Sequence, residues 1–114
     1  PSLANNPRKV LILGWNMQGA TIIRQMNDYV MKGSEVMIAA EGIEPIQAEI
    51  ELLENIKNLT INYLEIDITN RKSLNSLNIQ DFTNVMILSY SDKMPLQEAD
   101  AITMVTLMHL RDIK

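Results

Sequence analysis

Short runs of apolar and β-branched residues alternate along the chain with stretches in which apolar side chains recur every three or four positions. The short runs predict β-strands over residues 10–13, 35–40, 60–66 and 84–90. The periodic stretches, and one capped polar segment, predict helices over residues 17–31, 45–56, 71–77 and 96–112. Strands that alternate with helices through short connections favour a parallel sheet between two helix layers. We therefore predict an α/β fold, a Rossmann-like three-layer sandwich whose right-handed crossovers favour the strand order 3-2-1-4.

The chain of 114 residues is long enough for one hydrophobic core and too short for two. Residues 1–7 are polar and contain a turn signal, so we predict a leader or linker there and one domain over residues 8–114. Because dinucleotide-binding folds of this order have strands beyond the fourth, we expect the domain to be partial, truncated after its fourth helix. The fourth strand would then be an apolar sheet edge, which we expect the last helix or a second copy to cover.

Composition excludes several classes of protein. The chain carries 10 basic and 14 acidic residues, a net charge of −4, and only 4% aromatic residues, so we expect no nucleic-acid partner. The absence of cysteine excludes disulfides and thiolate metal sites. No apolar run approaches the roughly 18 residues that cross a bilayer, so we expect a soluble domain. The second helix is predicted to present a solvated acidic face, made by Glu44, Glu49, Glu51 and Glu54.

The turn after the first strand carries the main candidate for a binding site. Gly14 and Gly19 occupy the outer positions of the G-x-G-x-x-G fingerprint, but Asn16 stands at the middle one. The middle glycine normally lets the backbone approach a pyrophosphate, so Asn16 crowds that approach, although its amide could donate a hydrogen bond. The helix start around Met17 would offer free N–H groups to a phosphate, and Trp15 could cover the ligand or seal a subunit contact. Alternatively, the glycines only permit the turn and close packing.

Polar residues follow the other predicted strands. Glu41 ends the second strand, where an acidic residue takes the ribose hydroxyls of an adenosine and would repel the 2′-phosphate of NADP. Asp67 and Ile68 follow the third strand, beside the expected adenine pocket, and Ser89 ends the fourth, facing Gly14 across the switch point. These positions predict NAD or another adenine nucleotide as ligand. The competing interpretations are a surface carboxylate for Glu41, a turn or helix cap for Asp67, and a cap of the last helix for Ser89.

No catalytic apparatus is evident, so we predict that the chain is not an enzyme. The sequence contains no G-x-S-x-G, no H-E-x-x-H and no Tyr-x-x-x-Lys, and its single histidine, His109, has no obvious carboxylate to orient it. Glu98, Asp100 and Asp112 carry oxygens of the kind that Ca²⁺ accepts. Their helical spacing does not indicate that they converge, and a solvated helix face is favoured. We therefore predict no metal ligands.

Two parts of the chain resemble a known family. The first part is similar to the cytosolic regulatory domain of Castor/Pollux-type ion channels. It consists of residues 10–15, which end on Gly14-Trp15, and of residues 28–30 and 33–36. Residues 86–112 resemble the same domain, at the positions Met86-Ile87-Leu88, Asp92, Glu98-Ala99-Asp100-Ala101 and Leu107 through Leu110-Arg111-Asp112. The domain belongs to the wider RCK or TrkA-N-like class, which regulates potassium conductance.

The resemblance implies a Rossmann-like lobe at the cytoplasmic face of a membrane, attached to the pore domain of the same protein and assembled as a homo-oligomer. Nucleotides or Ca²⁺ serve as ligands in different members, and ligand binding shifts the gate. The family motif places the phosphate turn at Gly14, Asn16 and Gly19, the ribose acid at Glu41 and the adenine-side acid at Asp67. We therefore predict a ligand-sensing regulatory domain of an ion channel or ion transport protein. The alternatives are the NAD-binding half of an oxidoreductase or epimerase, and an assembly module without a small ligand.

Overall fold

The computed structural model describes residues 6–112, so most of the predicted leader lies outside the described residues. The strands are β1 (Lys9–Leu13), β2 (Ser34–Ala40), β3 (Leu59–Glu65) and β4 (Asn84–Ile87). The helices are α1 (Gly19–Tyr29), α2 (Ile43–Glu51), α3 (Arg71–Asn75) and α4 (Leu96–Asp112), with a short 3₁₀ helix at Ile79–Asp81 between α3 and β4. The order of elements is the predicted one, apart from the 3₁₀ helix.

The four strands form one parallel sheet in the order β3-β2-β1-β4, which confirms the predicted Rossmann-like α/β fold. Val10 pairs with Val36 of β2 and with Asn84 of β4, so β1 lies between its two neighbours. Leu11 and Ile12 have no exposed surface. An apolar strand in the middle of a parallel sheet is buried on both faces, which explains why the first strand reads as an unbroken apolar run.

Several predicted elements are too long. Helix α1 is two residues shorter at each end and α3 ends two residues earlier, but the largest differences are at the ends of β4 and α2. Strand β4 ends at Ile87 and not at residue 90, although the Leu88 N–H still donates to the Leu13 carbonyl at 2.8 Å. Because β1 turns away at Gly14, the chain beyond Leu88 has no strand left to pair with. Helix α2 ends at Glu51 and not at residue 56. In the turn that follows the helix, Asn55 lies in the left-handed region, with a φ of 64°.

The outer edge of the sheet is short and partly open. Within β4, Asn84 and Val85 are exposed and Met86 and Ile87 are half-buried. Helix α4 therefore does not cover the beginning of this edge, and cover by a second copy stays a prediction. A strand of four residues offers little backbone for unwanted pairing, which limits the hazard of an open edge.

Helix α4 is fixed to the loop that follows β3. The buried Thr106 hydroxyl lies 3.2 Å from the Ile68 carbonyl oxygen and 2.8 Å from that of Ile102. His109 Nε2 lies 3.0 Å from the Thr69 carbonyl oxygen, and a carbonyl only accepts, so this nitrogen carries the hydrogen. The outward side of the helix is apolar and exposed at Leu96, Met104, Leu107 and Met108. Across residues 6–112, no helix combines the length and the apolar character that a bilayer crossing requires.

Candidate functional site

The turn after β1 lies where the sheet order reverses, between the ends of β2 and β4. Gly14 has a φ of +83°, and its N–H donates to the Ala39 carbonyl at 2.9 Å. A Cβ on Gly14 would overlap the Leu88 carbonyl oxygen, which belongs to the backbone and cannot move aside. The position therefore requires glycine, both for its left-handed backbone and for the close approach of β4.

The side chain of Trp15 packs inside the domain and does not form an outward surface. Its exposed fraction is 2%, and its indole Nε1 donates to the Glu49 Oε1 at 3.1 Å. A Cβ on Gly19 would overlap the indole ring, so the second glycine of the turn makes room for the tryptophan. Glu49 is half-buried and holds the ring, so its assignment to the solvated acidic face is wrong. This pair joins the β1–α1 turn to helix α2.

Asn16 makes two hydrogen bonds with its side chain, and both are internal. Its Oδ1 accepts the Gln18 N–H at 2.8 Å, and its Nδ2 donates to the Ser89 carbonyl at 2.9 Å. Its own carbonyl also accepts the Gly19 N–H at 3.0 Å. The N–H groups of residues 18 and 19 at the start of α1 are therefore satisfied within the chain. The side chain spans the switch point, from the first turn of α1 to the segment after β4.

A cavity of about 260 Å³ opens beside this turn. Its walls come from the β1–α1 turn, helix α2 and the loop between β4 and α4, and consist of Trp15, Asn16, Met17, Pro45, Ile46, Glu49, Asp92 and Lys93. Met17 is 74% exposed, so its side chain is accessible at the edge of the cavity. The Lys93 ammonium lies 3.9 Å from the position that a Cβ of Gly42 would occupy, so it reaches from the β4 side to the end of β2. The cavity thus offers apolar surface, one cation and two carboxylates.

Tyr90 crosses the top of the sheet from the β4 side to the β2 side. It is 5% exposed, and its hydroxyl accepts the Glu41 N–H at 3.1 Å. Burial raises the pKa of the Tyr90 hydroxyl, with further contributions from the carboxylates of Glu41, Asp67 and Glu65. The Glu41 carboxylate is left exposed to solvent, where a ligand could reach it.

The acid that ends β3 stabilises the start of α2. The Glu65 carboxylate accepts the N–H groups of Ile43 at 2.9 Å and of Gly42 at 3.0 Å. These two backbone hydrogen bonds lower the pKa of Glu65. The start of α2 is therefore occupied by a side chain of the protein itself, and Glu65 was not singled out from the sequence.

Asp67 is arranged as a turn cap. Its Oδ1 accepts both the Thr69 hydroxyl at 2.6 Å and the Thr69 N–H at 2.9 Å, and these bonds lower the pKa of Asp67, the hydroxyl having the larger effect. Ile68 is buried, and its Cδ1 lies 3.4 Å from the position that a Cβ of Gly14 would take. The Ser89 hydroxyl oxygen is buried and finds no hydrogen-bond partner among residues 6–112. The structure thus brings Ile68 and Ser89 to the glycine turn.

The predicted site residues are only partly assembled around one space. Trp15, Asn16 and Met17 line the cavity, and Gly14 and Gly19 shape the turn that forms its wall. Four other predicted residues lie at the same edge of the sheet but are not in the cavity wall: Glu41, Asp67, Ile68 and Ser89. Their roles in ligand binding stay predictions.

Three cavity residues from other elements were not predicted as site residues. Pro45 and Ile46 fall at the beginning of the predicted second helix, and Lys93 lies between the predicted fourth strand and the last helix, so none of the three was singled out. The position of Lys93 six residues after the end of β4 was a usable signal, because loops at the carboxyl ends of strands converge on one edge.

A cation site finds no support in the described ranges. No group of three or more histidine, cysteine, aspartate or glutamate residues there could hold a metal ion. Glu98 and Asp100 are exposed on α4, and the side chain of Asp112 is outside the described part. Calcium is therefore suggested only by the resemblance, and the prediction of no metal ligands stays a prediction.

Comparison with known proteins gives one informative similarity. No protein-family profile matches the chain. The chain is 24% identical, over 116 aligned positions, to the rice protein "Probable ion channel CASTOR" of Oryza sativa subsp. japonica. The similarity covers 96% of this chain but only 13% of that protein. The chain is therefore similar, over nearly its whole length, to one section of a much longer ion-channel protein.

Proposed function

We propose that the chain is a non-enzymatic regulatory domain of an ion channel or ion transport protein, at the cytoplasmic face of a membrane. It would act by binding an adenine nucleotide in the cavity beside the glycine turn. Its partners would be the membrane pore domain of the same full-length protein and further copies of itself. The similarity to a probable ion channel supports the channel association.

The observation that carries the ligand proposal is the cavity at the switch point of the sheet. Open α/β sheets bind ligands at this place, beyond the carboxyl ends of the strands. Apolar groups of Met17, Pro45 and Ile46 would contact a base, because such pockets bind mainly through apolar surface. Lys93 would pair with a phosphate, and the exposed Glu41 carboxylate would accept hydrogen bonds from ribose hydroxyls.

Regulation would follow from where the cavity walls belong. The β4–α4 loop supplies Asp92 and Lys93 and leads directly into α4, whose outward side carries exposed apolar residues. A ligand that binds one arrangement of this loop better than another shifts the equilibrium towards that arrangement, and with it the position of α4. The size of the shift in the equilibrium is set by the difference in binding free energy. If α4 contacts a neighbouring copy, the movement of α4 changes the contact between the two copies.

A second function, an assembly module without a small ligand, is favoured by Asn16. Its carboxamide already satisfies the Gln18 N–H and bridges to the Ser89 carbonyl, so the turn needs no ligand to be stable. In this case only the outward side of α4 would be functional.

Calorimetric titration of the chain with AMP, ADP, ATP, NAD and Ca²⁺ separates the two functions. Nucleotide binding supports the sensor, and Glu41→Ala should then weaken it by about 1–3 kcal/mol through loss of hydrogen bonds to a charged group. The exposed Glu54→Ala is the matched control and should leave affinity unchanged. If none of the five ligands gives a heat of binding, the assembly module is the function that remains.

The channel association has its own test. The protein that contains this chain should include membrane-spanning helices elsewhere in its sequence. A complete coding sequence without such helices would contradict the association.

A further inference from the structure

Asn16 lies where a glycine stands in proteins that bind dinucleotides, and its side chain is not free. In those proteins the pyrophosphate lies against the N–H groups at the start of the first helix, and the middle glycine leaves room for it. Here the Asn16 Oδ1 accepts the Gln18 N–H at 2.8 Å, as a phosphate oxygen would. The carboxamide oxygen therefore takes the position of the anion.

The other end of the carboxamide prevents an easy rearrangement. Nδ2 donates to the Ser89 carbonyl at 2.9 Å, on the far side of the switch point. A pyrophosphate at the start of α1 would have to displace both hydrogen bonds and would leave the Ser89 carbonyl without this donor. Displacing a satisfied polar group by a ligand that cannot replace its bonds weakens binding.

The size of the cavity also argues against a bound dinucleotide. Pockets for drug-sized ligands enclose about 300–1,000 Å³, whereas the cavity beside the turn measures about 260 Å³. Trp15 contributes to this, because its indole packs over Gly19 and is held by Glu49. The cavity is therefore slightly smaller than the usual ligand pocket.

We propose that Asn16 is the specificity-determining residue of the cavity. It closes the pyrophosphate position of the fold, so the cavity takes a nucleoside or nucleoside monophosphate and excludes NAD, ADP and ATP. The choice among nucleotides rests on the proposed function, but the exclusion of pyrophosphate does not. The single phosphate of a monophosphate would pair with Lys93, which lines the cavity.

The test compares wild-type protein, Asn16→Gly and the control Gln18→Ala, which keeps the Gln18 backbone N–H. Each is titrated calorimetrically with AMP, ADP and NAD after circular dichroism has shown that it is folded. We expect wild type and the control to bind AMP at least tenfold more tightly than NAD or ADP. In Asn16→Gly the affinity for NAD should rise at least tenfold.

The outcomes are distinguishable. Wild-type protein that binds NAD as tightly as AMP, or a folded Asn16→Gly without a gain for NAD, overturns the proposal. If wild type binds no nucleotide, the proposed function fails, and the NAD titration of Asn16→Gly still decides the role of Asn16. If Asn16→Gly does not fold, Asn16→Ala replaces it, because it also removes the carboxamide.

Discussion

The contact between Gly19 and Trp15 predicts how much stability the substitution Gly19→Ala costs. Gly19→Ala places a Cβ inside the space of the indole ring, which is buried and held by Glu49. Overpacking of a buried site costs about 1–3 kcal/mol. The higher helix propensity of alanine offsets at most about 1 kcal/mol of this, because Gly19 is the first residue of α1. We expect a net loss of about 1–2 kcal/mol in the free energy of unfolding, or a fall in Tm of about 4–8 °C at roughly 4 °C per kcal/mol.

Urea denaturation measures this loss, followed by circular dichroism in every variant and also by tryptophan fluorescence in the variants that keep Trp15, the single tryptophan. The matched experiment is a double-mutant cycle with Trp15→Phe, whose smaller ring leaves room for the added methyl group. The double variant should be more stable than the sum of the two single losses predicts, by about 1 kcal/mol, as expected for residues in contact. A Gly19→Ala variant as stable as wild type, or strictly additive losses, would refute the assigned contact.

Three further substitutions test the same edge of the sheet. Gly14→Ala combines a left-handed backbone with overlap on the Leu88 carbonyl, so thermal denaturation should show a loss of about 3 kcal/mol or no folded protein. Tyr90→Phe removes the acceptor of the Glu41 N–H and should cost about 1 kcal/mol in urea denaturation; a neutral result would contradict the hydrogen bond. The pKa of Glu65 is lower in the folded than in the unfolded state, so its stabilisation exists above its unfolded pKa and is lost as the pH falls through the folded one. Glu65→Gln should therefore flatten the decline in stability on acidification, and an unchanged pH profile would refute the role of this carboxylate.

The strand order and the glycine turn could be predicted because each depends on local pattern. The unbroken apolar run of β1 marks a central parallel strand, and Gly14 directly after it marks a change of direction that other residues rarely adopt. Helices between the strands then leave few right-handed topologies. The order β3-β2-β1-β4 follows from these rules without knowledge of any contact.

The end of β4 could not be predicted, because it depends on a distant part of the chain. Leu88 and Tyr90 are buried like strand residues, yet β4 ends earlier because β1 turns away at Gly14. Burial after the strand comes from packing over the switch point and not from pairing. A periodic or apolar pattern does not distinguish these two causes.

The hydrogen-bond partners of individual side chains could not be predicted from the sequence either. Glu49 has the spacing of a solvated helix position, and only the folded chain brings it to Trp15, 34 residues away. Asn16 could be recognised as a departure from the glycine pattern, but its partner at Ser89 is 73 residues away. Side-chain hydrogen bonds across such separations depend on the tertiary arrangement. They decide here whether the turn is open or closed to a phosphate.

The central claim is that the cavity beside the glycine turn binds an adenine nucleotide, and amide chemical-shift mapping tests it most directly. AMP is titrated into ¹⁵N-labelled protein, and the shift of every assigned amide signal is followed. If AMP occupies the cavity, saturable shifts should cluster at residues 14–17, 41–46 and 90–93, with little change along α3. No saturable shift at millimolar AMP, or shifts that cluster elsewhere on the domain, would contradict it.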